Sequence, residues 1–317
     1  MEYAPVSYRR TARPLVRLPS GQSVSVTVHR YVGGDGPTIY LQATQHGIEL
    51  NGPATLRRLH TELIDRSLAG TVVVVPVVNP LAFDHRSYIT PAAYDAHNPN
   101  LNRVWPGRDD GSLQERLAAS LWPLISSADA VVDLHTGTAD MLEHVRHFRG
   151  QPAATELART FGTDYRLVDE LESNADFDQG TLRAAAAHAD VPAITVELEN
   201  SRQVVHSAVE TGLRGVRNVL AAQSVIDEPA IQPPEQIVLD RDGHTVSATE
   251  SGLFELDSSV AVADRVEAGE PLGVMYSPST FETLETVRVD GEGIIYSLAR
   301  ESVVVAGERV AAVGVPL

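Results

Sequence analysis

Two textures of hydrophobic and polar positions divide the chain. Over the first two thirds, short apolar runs alternate with longer stretches of helical periodicity, the pattern of a mixed sheet covered by helices. Strands are predicted at Thr38–Ala43, Thr71–Val78, Ala130–Leu134 and Ala193–Leu198, where apolar and β-branched residues run together. Helices are predicted at Gly52–Ile64, Leu113–Ile125, Ala153–Phe161, Thr181–His188 and His206–Ala222. The GGDG at Gly33–Gly36 and the Asn98–Pro99 pair mark turns. Past the Pro-rich IQPPE at Ile231–Glu235, the texture changes to short strands broken by Gly and polar turns, with no convincing helix. Within it, DRVEAGEPLG and ESVVVAGERVAAVG read as two copies of one unit, which suits a small β-barrel of two related halves. The expected fold class is α/β: a mixed central sheet flanked by helices over residues 1–230, then a small all-β, barrel-like domain over 231–317.

Composition narrows the function. No run approaches the roughly 18 apolar residues that span a bilayer, and MEYAPVSYRRTARP lacks the apolar centre of a secretory signal. A cytoplasmic protein without a membrane partner is expected. Cysteine is absent, so thiolate ligands, a Cys nucleophile and disulfides are excluded, and any metal site must use His, Asp and Glu. Acidic residues outnumber basic ones by 42 to 25, for a net charge of −17, which repels the phosphates of a nucleic-acid partner. Every basic side chain among the 25 is arginine. A GC-rich genome and a salt-rich cytoplasm both explain that bias.

Four short segments carry candidate chemistry. Gln45-His46-Gly47-Ile48-Glu49 follows a strand and precedes a helix, at the edge where open α/β sheets collect ligands. His46 and Glu49 can converge on one ion if the backbone turns, and Gly47 tolerates the unusual dihedrals such a turn can require. Alone, His and Glu three apart form a weak pattern. The second segment, Val131–Gly137, ends an apolar strand in Asp133-x-His135, with both side chains on one face. His46, Glu49 and His135, which lies 86 positions after Glu49, make up a His₂Glu set of the kind that holds catalytic zinc. Third, Glu197 and Glu199 emerge from the apolar Ile194–Asn200 run; either suits the base that metal-assisted hydrolysis requires, and alternation does not choose between them. Fourth, Asn102 and Arg103 offer a planar fork for a carboxylate, and Arg86 lies in the preceding loop.

Together, HGIE, the NPLAF turn at Asn79–Phe83, NLNR, DLHTG and VELE resemble the succinylglutamate desuccinylase/aspartoacylase family of the zinc carboxypeptidase fold group, over roughly residues 35–225. The resemblance implies one Zn²⁺ per chain on His46, Glu49 and His135, with Glu197 as the catalytic glutamate rather than Glu199. It implies Asn102 and Arg103 as holders of the substrate carboxylate, and Arg86 is the candidate for polarising the scissile carbonyl. The implied substrate is a small N-acylated amino acid or amine. A metallocarboxypeptidase acting on peptides and a catalytically silent binding relative are the alternatives. A homo-oligomer is left open. Where many relatives carry Asp, this chain has Asn100, expected to accept a hydrogen bond from a zinc-bound imidazole without a full charge. The C-terminal part resembles a lipoyl/biotinyl-like module but has no lysine to carry such a group, so it is expected to wall the active-site entrance or support oligomer contacts.

Overall fold

A computed structural model describes residues 2–137, 140–171, 177–229, 231 and 235–317. Thr38–Ala43 forms a strand with the predicted bounds. It pairs in parallel with Thr71–Val75 on one side and Ala130–Gly137 on the other, and Ala130–Gly137 pairs in parallel with Ala193–Asn200. Four carboxyl ends therefore open on one edge. Thr71–Val75 stops before Pro76, three residues short of the predicted end, since proline cannot donate to the ladder. Beyond Ala193–Asn200 the direction reverses: His144–Phe148 is antiparallel to it and parallel to Tyr165–Asp169.

Side-chain alternation distributes the strands between two cores. Val132 and Leu134 enter one with Leu59, Phe161 and Leu220, whereas Val131 enters the other with Trp105, Leu117 and Leu121. Every residue of Ala130–Gly137 is buried, as expected for a parallel strand covered on both faces. The covering helices are Asn51–Leu63, Leu113–Ser126, Pro152–Phe161, Leu182–His188 and His206–Ala222, each within a residue of its predicted bounds. Ser112 and Glu115 form a reciprocal capping box at the start of Leu113–Ser126; such a cap stabilises a helix by about 0.5–2 kcal/mol.

An N-terminal hairpin, Ser7–Arg17 with Ser23–Val32, extends the sheet and is absent from the predicted elements. At the opposite side, Ile237–Ser247 pairs in parallel with Tyr165–Asp169 and antiparallel with Arg309–Pro316. The large sheet thus runs without a break into the C-terminal segment. A separate four-stranded antiparallel sheet lies there, and Phe254, Leu272, Met275, Val287, Ile295 and Val310 belong to one further core. Of IQPPE, only Ile231 and Glu235 are among the described residues. The two AGE copies fold alike. Gly269 and Gly307 take left-handed φ of 84° and 90°, and the following Glu270 and Glu308 each accept a backbone N–H three residues back, at 3.0 and 2.8 Å.

Candidate metal centre and crevice

The turn after Thr38–Ala43 carries His46 and Glu49, and the end of Ala130–Gly137 carries His135. All three are 3 % exposed, and one donor atom from each falls within 4.8 Å of the others. Gly47 makes the turn possible by close packing rather than by an unusual dihedral: a Cβ there would stand 2.1 Å from the carbonyl carbon of Ala82. Asn51 ties this turn to the next strand but one, donating to the Leu198 carbonyl at 2.7 Å and accepting from Val205 N–H at 2.8 Å.

The donors fit a small divalent cation. His46 Nδ1 and Glu49 Oε2 are buried without a hydrogen-bond partner, an arrangement that costs free energy unless an ion occupies the space between them. Glu49 Oε2 lies 3.1 Å from His135 Nδ1, close to the roughly 3–3.5 Å separating two donors that each sit about 2 Å from one zinc ion. Burial pushes the Glu49 carboxyl up to about 7, against the pull of His135. Burial alone would push His135 down, but the Asp133 and Glu49 carboxylates outweigh it and hold that imidazole well above its ordinary range. His46 is pushed well below that range by burial and by its neighbours His135 and Arg103.

Behind His135 lies a buried polar chain. Asp133 Oδ2 accepts from His135 Nε2 at 2.9 Å and from Gln45 Nε2 at 2.6 Å, while Oδ1 accepts from Gln42 at 2.9 Å. Trp105 Nε1 donates to Gln45 Oε1 at 2.7 Å. Asp133 therefore orients the imidazole and leaves Nδ1 facing Glu49. Asn100 has a different task from the one expected: its Oδ1 accepts from Asn102 N–H at 3.0 Å and caps the short Leu101–Arg103 turn. An Asp133→Asn substitution is expected to weaken divalent-metal binding at this site by about 10–100-fold, measured by chelator competition, with the folded secondary structure kept.

Strand register sets Glu197 beside His135. Glu197 is the Cα partner of His135 on one side and of His144 on the other, and it lines the crevice. Alternation then breaks, because Glu199 adopts a left-handed φ of 56° where the register slips between Glu197 and Asn200. Such bulges re-aim side chains beside functional sites, and Glu199 is not among the lining residues. His144, missed in the sequence, is buried and pushed down to about 4, chiefly by that burial. It is neutral at pH 7, and its Nδ1–H donates to the Leu142 carbonyl at 2.7 Å.

The crevice has a volume of about 980 Å³. Asn102 and Arg103 both line it. Asn102 Oδ1 accepts from Leu182 N–H at 3.0 Å, which leaves its NH₂ group for a ligand. Arg86 does not reach this space. It sits exposed at the turn after the Pro80–Asp84 helix, with a left-handed φ of 52°, and is not a lining residue. Tyr88, two residues on, lines the crevice in its stead and lies face to face on His46, with ring centroids 4.0 Å apart. Burial, with the Glu49 and Glu197 carboxylates, pushes its phenol up, so it stays protonated. Arg86→Ala is accordingly expected to leave turnover within about twofold of wild type, as surface substitutions away from a site do; an assay of the purified variant checks this.

On the far wall, Asp169 accepts from Arg146 Nε and Nη2 at 3.2 and 2.7 Å and from Arg183 Nη2 at 2.6 Å. Arg183 also stacks over Phe148 at 4.3 Å. Arg241 and Arg309, both from the C-terminal segment, complete the lining.

Buried His, Glu and His donors at the carboxyl edge of a mixed sheet, with a carboxylate abreast and arginines around a polar crevice, define an α/β protein with the donor set of a metallohydrolase. The succinylglutamate desuccinylase/aspartoacylase catalytic domain matches residues 35–223. An N-alpha-acetyl-L-2,4-diaminobutyric acid deacetylase from Halomonas elongata is 30% identical over 284 residues, covering 86% of this chain and 78% of the relative. Two solved structures share the fold at 24% identity. A succinylglutamate desuccinylase/aspartoacylase from Rhodobacter sphaeroides superposes with a TM-score of 0.85, covering 99% of this chain and 96% of the other. The product-bound ectoine utilization protein EutE (DoeB) from Ruegeria pomeroyi reaches 0.86, covering 99% and 100%. The chain belongs to the succinylglutamate desuccinylase/aspartoacylase family. Among the described residues, no helix is long and apolar enough to cross a membrane.

Proposed function

We propose that this protein is a zinc-dependent hydrolase that removes the acyl group from a small N-acyl amino acid or related N-acylated amine. The observation that carries this reading is the buried, converging donor trio, in which His46 Nδ1 makes no hydrogen bond, with Glu197 set beside His135 by strand register. His46, Glu49 and His135 would hold the zinc ion, which would supply Lewis acidity to activate water and a carbonyl near neutral pH. Glu197 takes the proton of the attacking water and returns it to the departing nitrogen as the C–N bond breaks. Asn102 and Arg103 grip the substrate carboxylate, with the guanidinium as the charged half of the fork. The C-terminal part, 231–317, contributes Arg241 and Arg309 to the crevice wall, which supports its role as a wall of the entrance.

The polar lining and the deacetylase relative favour a small polar substrate over a peptide. The test is amine release from a panel of N-acyl amino acids and short peptides by zinc-loaded protein. Release from acyl amino acids supports the reading. Cleavage of peptides alone transfers the protein to the carboxypeptidase alternative.

A further inference from the structure

A hydrolase of this kind needs a donor aimed at the carbonyl oxygen, where negative charge grows as water adds. Four of the five crevice arginines have other engagements, Arg241 through a 3.5 Å ion pair with Asp169, and the fifth, Arg309, comes from the C-terminal wall. Arg146 is held on Asp169 by two hydrogen bonds, and Arg183 is held there by a third. Arg103 donates through Nη1 to the Asn102 carbonyl at 2.6 Å and belongs to the proposed carboxylate fork. Arg86 lies outside.

Tyr88 is differently placed. Its ring lies on the imidazole of His46 with centroids 4.0 Å apart and planes 18° apart. Its own carbonyl accepts from Gly47 N–H at 3.2 Å, so backbone and ring are both fixed to the turn that carries His46 and Glu49. The residue is 38 % exposed and lines the crevice together with Glu49 and Glu197. Among the described residues, its hydroxyl has no hydrogen-bond partner. A fixed O–H donor with nothing to bond among the described residues stands beside the metal-ligand turn.

We propose that Tyr88 is a further catalytic residue, whose hydroxyl donates a hydrogen bond to the carbonyl oxygen of the scissile amide as that oxygen gains charge. This rests on the deacylase reading above. As the water oxygen bonds to the carbonyl carbon, the C=O π pair moves onto oxygen, and the Tyr88 O–H bonds to it without giving up its proton. When the pair returns, the C–N bond breaks, and the nitrogen takes the electron pair and the proton held by Glu197.

The test compares wild type with Tyr88→Phe, which keeps the ring on His46 and removes only the hydroxyl. Zinc content is expected to be unchanged, and KM for the best N-acyl amino acid to stay within about threefold, while kcat falls about 10²–10³-fold, the usual cost of losing one oxyanion donor. A second readout is the affinity of a tetrahedral phosphinate analogue of that substrate. It should fall in parallel with kcat/KM, whereas affinity for the free amino-acid product stays put. Arg86→Ala serves as the control and should match wild type. An active wild type with an unimpaired Tyr88→Phe overturns this proposal alone, as does a variant whose loss lies in KM and product affinity. A wild type that neither hydrolyses N-acyl amino acids nor binds the phosphinate overturns the deacylase reading, and this proposal with it.

Discussion

Replacing Glu197 with Gln is expected to lower amide hydrolysis by about 10²–10⁴-fold, the range a positioned general base supplies, while zinc content stays at the wild-type level. The two parts of that expectation separate the roles. Glu197 stands abreast of His135 in the sheet register but lies outside the trio whose donor atoms converge. Gln keeps the shape and polarity of the side chain and removes its ability to take a proton. Steady-state amine release paired with metal analysis checks both parts. Loss of zinc together with activity would make Glu197 a ligand, and retained activity would leave the reaction without its base.

The second large effect is on stability. Asp169→Asn leaves the buried Arg183 and its neighbour Arg146 facing one neutral amide. Breaking a buried ion pair by removing one partner costs about 3–5 kcal/mol, because the surviving charge stays desolvated. The pH dependence has a definite sign. Burial alone would raise the Asp169 carboxyl, but Arg183 and Arg146 outweigh it and hold it well below the usual carboxylate range. A depressed folded-state value stabilises the fold fully above the unfolded value of about 3.9, and that contribution is lost as pH falls further. Thermal unfolding should therefore show a large gap between wild type and variant at pH 7 that narrows near pH 3. A gap of equal size at both pH values would place the effect in packing instead of charge.

These residues also mark where the sequence stopped being informative. The parallel strands and the covering helices were legible because burial on both faces, or on one helical stripe, writes apolar runs at periods a reader can count. His144–Phe148 and Tyr165–Asp169 escaped because they carry His144, Arg146, Arg166 and Asp169 among their apolar residues, and polar residues break the run that signals a buried strand. Convergence of His46, Glu49 and His135 was legible only as an ordered set of motifs, since 86 residues separate the last two. Alternation did not separate Glu197 from Glu199, and only the family resemblance favoured Glu197; the left-handed φ at Glu199 is where that alternation breaks. The loop after Pro80–Asp84 was hardest of all. No periodicity governs such a segment, so the sequence offered Arg86 and not Tyr88, and the fold placed the first outside the crevice and the second on His46.

The central claim is that His46, Glu49 and His135 hold one zinc ion, and the zinc stoichiometry of purified protein tests it most directly. Wild type, His46→Ala, Glu49→Gln and His135→Ala would each be loaded with zinc, dialysed, and analysed for metal, with circular dichroism to confirm folding. The account predicts one zinc per wild-type chain and little or none in each folded variant. Zinc retained at the wild-type level in all three variants would contradict it.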